Sequence, residues 1–334
     1  MTASRSPVMA DVARVAGVSH MTVSRVLNEH PSVRGDTRER VLRAVESLGY
    51  RRNEAARALA SRRSGVVGVL ALESTLFGPS STLYAIERGA RAAGFSVSVT
   101  TPDPDASDPM TEALDRLVRL GVEGVVAIAP RVRDVDALRG LPVDMVVVVV
   151  EGGQGIGHPV VAVDQAGGAA AATRHLIERG ASTVWHVAGP SDWFEARSRK
   201  AGWRKALRSA RVDVPPPVVG DWSAASGYEL GLRLDVRPGS DAVFVANDQM
   251  ALGVLRALHE RGLRVPDDIL VAGFDDLPEA AFFQPPLTTV RQDFAAVGRV
   301  AIEVLTSGMG EEAAAGTTLI DAELVVRAST GGAR

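Results

Sequence analysis

The sequence predicts an α/β protein in which an N-terminal helix-turn-helix headpiece precedes a two-lobed core of doubly wound parallel sheets. Three observations carry this expectation. Apolar residues in the first fifty positions recur at helical spacing and are interrupted at a glycine. Beyond position 65, β-rich apolar runs alternate with amphipathic helical stretches, the rhythm of parallel strands joined by helices. Those alternations are too many for one compact sheet, and 334 residues leave room for two or three domains.

From Val8 to Asn28 the chain reads VMADVARVAGVSHMTVSRVLN. Val12, Val15 and Ala16 share one helical face, Gly17 breaks it, and Val23, Val26 and Leu27 resume it after Ser19. Gly17 supplies a backbone position without side-chain limits, and Ser19 caps the second helix by accepting from an otherwise unpaired amide. Two short helices around a tight turn are helix-turn-helix grammar. A third helical stretch, residues 36–48, puts Val41, Leu42, Val45 and Leu48 on one face and closes a small three-helix core. His20, Met21, Ser24 and Arg25 then point outwards, on the half of the second helix that enters the DNA major groove in such folds.

Charge divides the chain at the same place. Residues 1–64 hold 12 Arg and 6 acidic side chains, net +6, whereas the remainder is net −9, so the overall −3 conceals a basic head suited to a polyanion. RRNEAARALASRRSG follows Tyr50; it is rich in alanine, with strong helix propensity but little apolar surface to hold it on a core. Such a segment is expected to be marginal alone and to fold on DNA, the alternative being a charged linker.

The core opens with VVGVLAL, TLYAIERGARAAG, FSVSVTT, TEALDRLVRLG and GVVAIA, each a strand or helix by its period. The alternation continues through MVVVVV, AAAATRHLIERG, TVWHVAG, RKAGWRKALRSA, AVFVAN, MALGVLRALHERG and ILVAGFDD, giving two α/β lobes. GEEAAAG near Gly310 reads as a low-complexity loop.

Several function classes are excluded. Zero cysteines rule out disulfides, a thiolate nucleophile and Cys-ligated metal. The six histidines lack metal-ligand spacing, and neither G-x-S-x-G nor H-E-x-x-H occurs. GGQGIG at 152–157 misses dinucleotide-loop spacing, and a strand rather than a helix follows it. The protein is therefore read as no enzyme, without cofactor or metal. No apolar run approaches the roughly 20 residues of a membrane span, and no export signal opens the chain. A cytoplasmic protein is expected.

DVARVAGVSHMTVSRVLN, together with EARSRKAGW, GDWSAASGY, VANDQMALG, GFDD and PPLTTVRQDF, resembles the LacI/GalR family of bacterial transcription regulators, and the similarity runs from about Met9 to about residue 328. The resemblance implies a headpiece at 1–51, a hinge helix and linker at 52–64, and an effector-binding and dimerisation core at 65–334. The core lobes resemble periplasmic sugar-binding proteins: an N-lobe near 65–162 and 293–321, a C-lobe near 163–292 and 322–330, with crossings near Val163, Gln292 and Asp321. His20, Met21 and Arg25 fall on the family's base-reading positions. Arg25 can give two parallel hydrogen bonds to a guanine edge, whereas Thr22 and Ser24 suit phosphate or the core, and Asn28 closes the motif. In the hinge, Asn53 opens the helix, Leu59 takes the position that wedges between base steps, and Arg52 replaces the usual proline, exchanging a pre-set backbone angle for a phosphate contact.

The same resemblance places effector contacts at Pro79, Ser80, Glu151, Arg199, Trp222, Asn247, Asp275, Gln292 and Phe294. Arg199, Asn247 and Asp275 offer donors and acceptors to vicinal hydroxyls, and Trp222 and Phe294 cover apolar C–H faces, which is sensible for a sugar. Core packing is the alternative for the two aromatics, and an interlobe salt bridge for Arg199 with Asp275. Glu151 stands where one close family member carries Asp, Val163 where it carries Phe, Thr82 where it carries Ile, and Val8 where the family often has a hydroxyl cap. The expected whole is a homodimeric repressor on a palindromic operator, without a tetramerising leucine-heptad tail, released by a small, galactoside-like sugar. The alternatives are a co-repressor-dependent regulator of purine type and a sugar-binding protein without a DNA role.

Overall fold

The computed structural model describes residues 7–28, 30–50, 63–71, 75–103, 105–129, 131–139, 145–153, 156–309 and 316–331, and the chain divides into two compact units, residues 1–64 and 65–334. The expected hinge residues Arg52, Asn53 and Leu59 lie outside the described residues.

The first unit is built from α1 (Met9–Ala16), α2 (His20–Leu27) and α3 (Gly35–Leu48). Gly17 ends α1 with φ 64°, a left-handed angle that a glycine adopts without steric cost, and its amide donates back to the Ala13 carbonyl. The Ser19 hydroxyl caps α2, accepting from the Thr22 amide at 3.1 Å. Val8 cannot cap α1, but the Asp11 carboxylate accepts from the Val8 amide at 3.0 Å and supplies half of a capping box. Val12, Ala13, Ala16, Val23, Val26, Val41, Ala44 and Tyr50 form the core. Two expectations are corrected: Val15 and Leu42 are each 50% exposed, and Ala13 and Ala44 occupy the buried positions. Short helices crossing closely bury a narrow stripe, and alanine lets their backbones approach where valine or leucine would hold them apart.

The second unit is an α/β core of two lobes. In the N-lobe, β1 (Val66–Ala71), β2 (Ser96–Thr100), β3 (Val125–Ile128), β4 (Val147–Val150), β5 (Val160–Val163) and β11 (Thr317–Ile320) form a parallel sheet ordered β11-β5-β4-β3-β1-β2. Both faces are covered by α4 (Phe77–Ala92), α5 (Pro109–Arg119), α6 (Val132–Arg139) and α11 (Phe294–Gly308). Burial on both faces explains the unbroken apolar runs VVVV and VVAI in β4 and β3. In the C-lobe, β6 (Thr183–Ala188), β7 (Val218–Val219), β8 (Asp241–Val245) and β9 (Leu270–Ala272) form a parallel sheet ordered β7-β6-β8-β9. α7 (Gln165–Glu178) and α8 (Phe194–Ser209) pack on one side, and α9 (Ala224–Arg233) and α10 (Asp248–Glu260) on the other.

The chain leaves the N-lobe sheet after Val163, returns from β10 (Thr289–Gln292) into α11, and leaves again between β11 and β12 (Ala322–Val325). β10 and β12 pair antiparallel, Gln292 opposite Ala322, so two of the three crossings lie side by side. Such adjacency lets the lobes change their mutual angle through a few backbone positions. Within the lobes the packing is tight: a Cβ at Gly298 would strike the Ala85 backbone of α4, and one at Gly253 the Ala224 backbone of α9. No helix among the described residues is long and apolar enough to cross a membrane.

Candidate functional site

A cavity lies between the two lobes. α4 contributes Phe77, Pro79 and Thr82; β3 ends at Ile128; the turn after β4 contributes Glu151; Phe294 opens α11. From the C-lobe come Trp193 and Glu195 at the start of α8, Arg199 one turn later, Trp222 before α9, Asn247 and Gln249 at the start of α10, Asp275 after β9 and Gln292 at the end of β10. The C-lobe groups sit at or beyond the carboxyl ends of parallel strands, where open α/β sheets present their ligand-binding loops.

Three of these residues hold backbone angles that side chains rarely adopt. Glu151 has φ 61°, Trp222 76° and Asp275 110°. Each costs on the order of 1–3 kcal/mol, and such strain concentrates where a side chain must be aimed.

A continuous polar chain runs through the lining. Asp275 Oδ1 faces Arg199 Nη2 at 3.2 Å and accepts from Gln292 Nε2 at 2.7 Å. Gln165 Nε2 donates to Gln292 Oε1 at 2.8 Å and to Glu151 Oε2 at 3.3 Å, while Arg199 Nε donates to Gln165 Oε1 at 2.8 Å. Arg199 Nη1 also donates to the Ala246 carbonyl, and its guanidinium lies 3.8 Å from the Phe274 ring centre. Gln165, directly after the first crossing, and Gln292, directly before the second, thus tie the anionic and cationic groups to the segments that join the lobes. Asn247 is fixed separately: its Oδ1 accepts from Met250 N at 3.0 Å and its Nδ2 donates to the Trp222 carbonyl at 3.0 Å.

Beside this satisfied chain, three buried polar atoms lining the same cavity have no partner: Thr82 Oγ1, Glu195 Oε2 and Trp222 Nε1. A hydroxyl, a carboxyl oxygen and an indole N–H left open together cost several kcal/mol unless a ligand or solvent meets them. The apolar walls are two edge-to-face ring pairs, Phe77 with Phe294 at 5.9 Å and Trp193 with Trp222 at 5.5 Å.

Three carboxyls face a single guanidinium here, and their proton affinities respond. Burial pushes Glu195 up to about 8, with the Glu151 charge adding to it. Burial likewise pushes Glu151 up to about 7. Asp275 rises to about 6 through burial, against the pull of Arg199. A folded state that holds protons more tightly than the unfolded chain is most stable below the ordinary carboxyl range and loses stability as pH climbs through the raised values. The melting temperature is accordingly expected to fall between about pH 5 and pH 8 and to level off above the raised values, and that of Glu195→Gln, which fixes the neutral form, to fall less steeply. Thermal melts of both proteins across that range check this; equal slopes would refute it.

Of the expected effector residues, Pro79, Glu151, Arg199, Trp222, Asn247, Asp275, Gln292 and Phe294 meet around this cavity. Ser80 does not. It is exposed, and its hydroxyl donates to the Phe77 carbonyl at 3.0 Å, because on α4 the inward stripe passes through Pro79 and Thr82, three residues apart. The Arg199–Asp275 ion pair exists but lies within the C-lobe instead of bridging the lobes. Trp222 both packs in the C-lobe core and lines the cavity, so its two readings coexist. Sequence reasoning missed Trp193, Glu195, Gln249, Phe77 and the organising Gln165. Glu195 had a signal: in EARSRKAGW it sits four residues before Arg199, on the same helical face.

In the headpiece, His20 and Met21 stand at the open end of α2, both exposed, Met21 by 65%. Arg25 is exposed in its last turn. Thr22 is half-buried in the cap beside Ser19, and half-buried Ser24 accepts from Asn28 Nδ2 at 3.5 Å.

Comparison with known proteins bears on both units. Residues 8–53 match the model of bacterial regulatory proteins of the lacI family, and residues 173–330 that of a periplasmic binding protein-like domain. The lactose operon repressor of Escherichia coli strain K12 is 33% identical over 323 residues, covering 96% of this chain and 89% of that protein. Among solved structures, a lac repressor dimer bound to operator and the anti-inducer ONPF matches with TM-score 0.86 and 33% identity, covering 98% of this chain and 99% of that one. A complex of the transcriptional regulator CelR with cellobiose matches with TM-score 0.69 and 31% identity, covering 97% of this chain and 99% of that one.

Proposed function

The chain belongs to the lacI family of bacterial regulatory proteins, which are transcriptional regulators, and we propose that it is a dimeric repressor released from a palindromic operator by a small sugar. The observation that carries the effector reading is the interlobe cavity, whose unpartnered hydroxyl, carboxyl and indole groups and facing aromatic rings complement a molecule with both hydroxyls and apolar C–H faces. Arg199, Asn247, Asp275 and Gln292 orient the hydroxyls, and Trp222 and Phe294 cover the ring. A galactoside-like sugar is the leading member of that class.

On the DNA side, Arg25 reads a guanine edge, His20 and Met21 read neighbouring bases, and Thr22, Ser24 and Asn28 hold the phosphate backbone. The reading assigns Arg52, Asn53 and Leu59 to a hinge in the minor groove on the strength of the sequence. Sugar binding favours the lobe arrangement in which the two hinges cannot pair, and by linkage operator DNA weakens sugar binding by the same factor. A regulator of this kind works in the cytoplasm.

A gel-shift titration on DNA upstream of the gene, repeated with a panel of neutral sugars and purines, tests the reading. Operator affinity is expected to fall with a sugar and not with a purine. Tighter DNA binding in its presence would select a co-repressor logic, and a purine-only response would overturn the sugar class.

A further inference from the structure

The carboxyl balance of the cavity points beyond a neutral sugar. Glu195, Glu151 and Asp275 all line it, whereas Arg199 is its one cationic lining residue among the described residues. Arg199 is already committed, to Asp275, to Gln165 and to the Ala246 carbonyl. Glu151 is held by two donors, the Val163 amide at 3.2 Å and Gln165 Nε2 at 3.3 Å, neither charged. Glu195 is 8% exposed and its Oε2 meets no donor. Two buried carboxyls on opposite lobes therefore have no ion pair of their own and share only the field of the guanidinium that Asp275 already pairs.

We propose that the effector is an amino sugar whose ammonium group binds at Glu195 and Glu151, making Glu195 the residue that selects it over the corresponding neutral sugar. The inference rests on the sugar-effector reading and adds the charge of the ligand to it. A neutral hydroxyl gives Glu195 Oε2 a hydrogen bond but leaves both carboxyls either ionised without compensation or dependent on protons from solvent. An ammonium supplies three donors and one positive charge, which meets the open oxygen and compensates one ionised carboxylate while the other keeps its proton. Glu195 also lies in the first turn of α8, where the helix dipole favours the ionised carboxylate that an ammonium would meet. The surrounding rings of Phe77, Trp193, Trp222 and Phe294 are compatible with a cation as well as with sugar C–H faces. The remaining polar lining, Arg199, Asn247, Asp275 and Gln292, stays available for hydroxyls. An anionic ligand, such as a phosphorylated sugar, meets uncompensated carboxyls and is rejected.

Isothermal titration of the full-length protein with galactose, galactosamine and N-acetylgalactosamine, and with the glucose counterparts, tests this. Galactosamine or glucosamine is expected to bind at least about tenfold more tightly than its neutral parent, as a charge-assisted contact implies, and N-acetylation, which keeps the nitrogen but removes its charge, is expected to abolish the gain. In Glu195→Gln the ratio is expected to fall towards one. Equal affinities for amino and neutral sugars in the wild-type protein, or a preference that survives Glu195→Gln, would overturn the proposal while leaving the sugar reading intact. Binding of none of these sugars would overturn both. The acetylated ligands test the charge on the wild-type protein, so the conclusion does not depend on the variant folding.

Discussion

Arg199→Ala is expected to yield a protein that still shifts operator DNA but no longer responds to the sugar. Arg199 reaches three buried partners at once, the Asp275 carboxylate, the Gln165 side chain and the Ala246 carbonyl. Removing it leaves Asp275 buried and uncompensated, beside Glu151 and Glu195 that are short of positive charge. Deleting one partner of a buried ion pair costs about 3–5 kcal/mol, so the core should also melt at a lower temperature. Asp275→Asn should cost less, since the amide keeps an acceptor for Gln292 and the guanidinium retains two other acceptors. A double-mutant cycle separates the pair from its surroundings: the two effects should be markedly non-additive. Gel shifts with and without sugar, alongside thermal melts, read both consequences. A normal sugar response in Arg199→Ala would remove this cavity from the effector role.

How far the sequence disclosed this site depends on the kind of interaction. The helix-turn-helix and the strand-helix alternation are periodic and therefore legible: Gly17, Ser19 and the valine runs of β3 and β4 each declare their structure locally. Arg199, Asp275 and Asn247 were found because their short segments resemble a known family. The N-terminal turns of α4 and α8 begin before the sequence reading places them, since FGPSS and FEA lack a strong apolar stripe. The helices α6, α9 and α11 and the short strands β7, β10, β11 and β12 are not among the elements the sequence periodicity separately identifies. β10 and β12 exist by pairing with each other across 30 residues, Gln292 with Ala322, which no local pattern encodes. Gln165 was invisible for the same reason. Its value comes from touching Glu151, Gln292 and Arg199, residues 14, 127 and 34 positions away. The burial of Leu42 failed in the opposite sense: helical spacing named the face correctly but could not say how narrow a stripe two short partner helices would cover.

The positive-φ residues of the site lie on both lobes. Glu151 belongs to the N-lobe, and Trp222 and Asp275 to the C-lobe, so strain is held on both sides of the cleft. The lobes also touch at its rim, where Val132 N donates to the Asp192 carbonyl at 3.0 Å and the Arg131 guanidinium lies 5.8 Å from the Trp193 ring centre. Trp193 is thereby both a wall of the cavity and a contact of the opposite lobe. A ligand that packs on Trp193 acts on that contact directly, which gives ligand occupancy a physical route to the angle between the lobes.

Arg25→Ala is expected to cut sharply the preference for operator over scrambled DNA. A bidentate guanine contact contributes about 1–3 kcal/mol of discrimination, and a dimer on a palindrome makes it twice, so the loss is on the order of 30-fold at the low end. Arg25 stands exposed on α2, whose opposite face is pinned into the headpiece core by Val23 and Val26, so truncation removes a contact without disturbing the fold. Arg25→Lys sharpens the test. Lysine keeps the charge, hence the attraction to phosphate and the salt dependence of non-specific binding, but lacks the planar fork that matches the two guanine acceptors. If Arg25 reads a base, both variants lose specificity while Lys retains the non-specific affinity and its salt slope. If Arg25 only neutralises phosphate, Lys should behave as wild type on operator DNA, and the assignment of base readout to this residue fails.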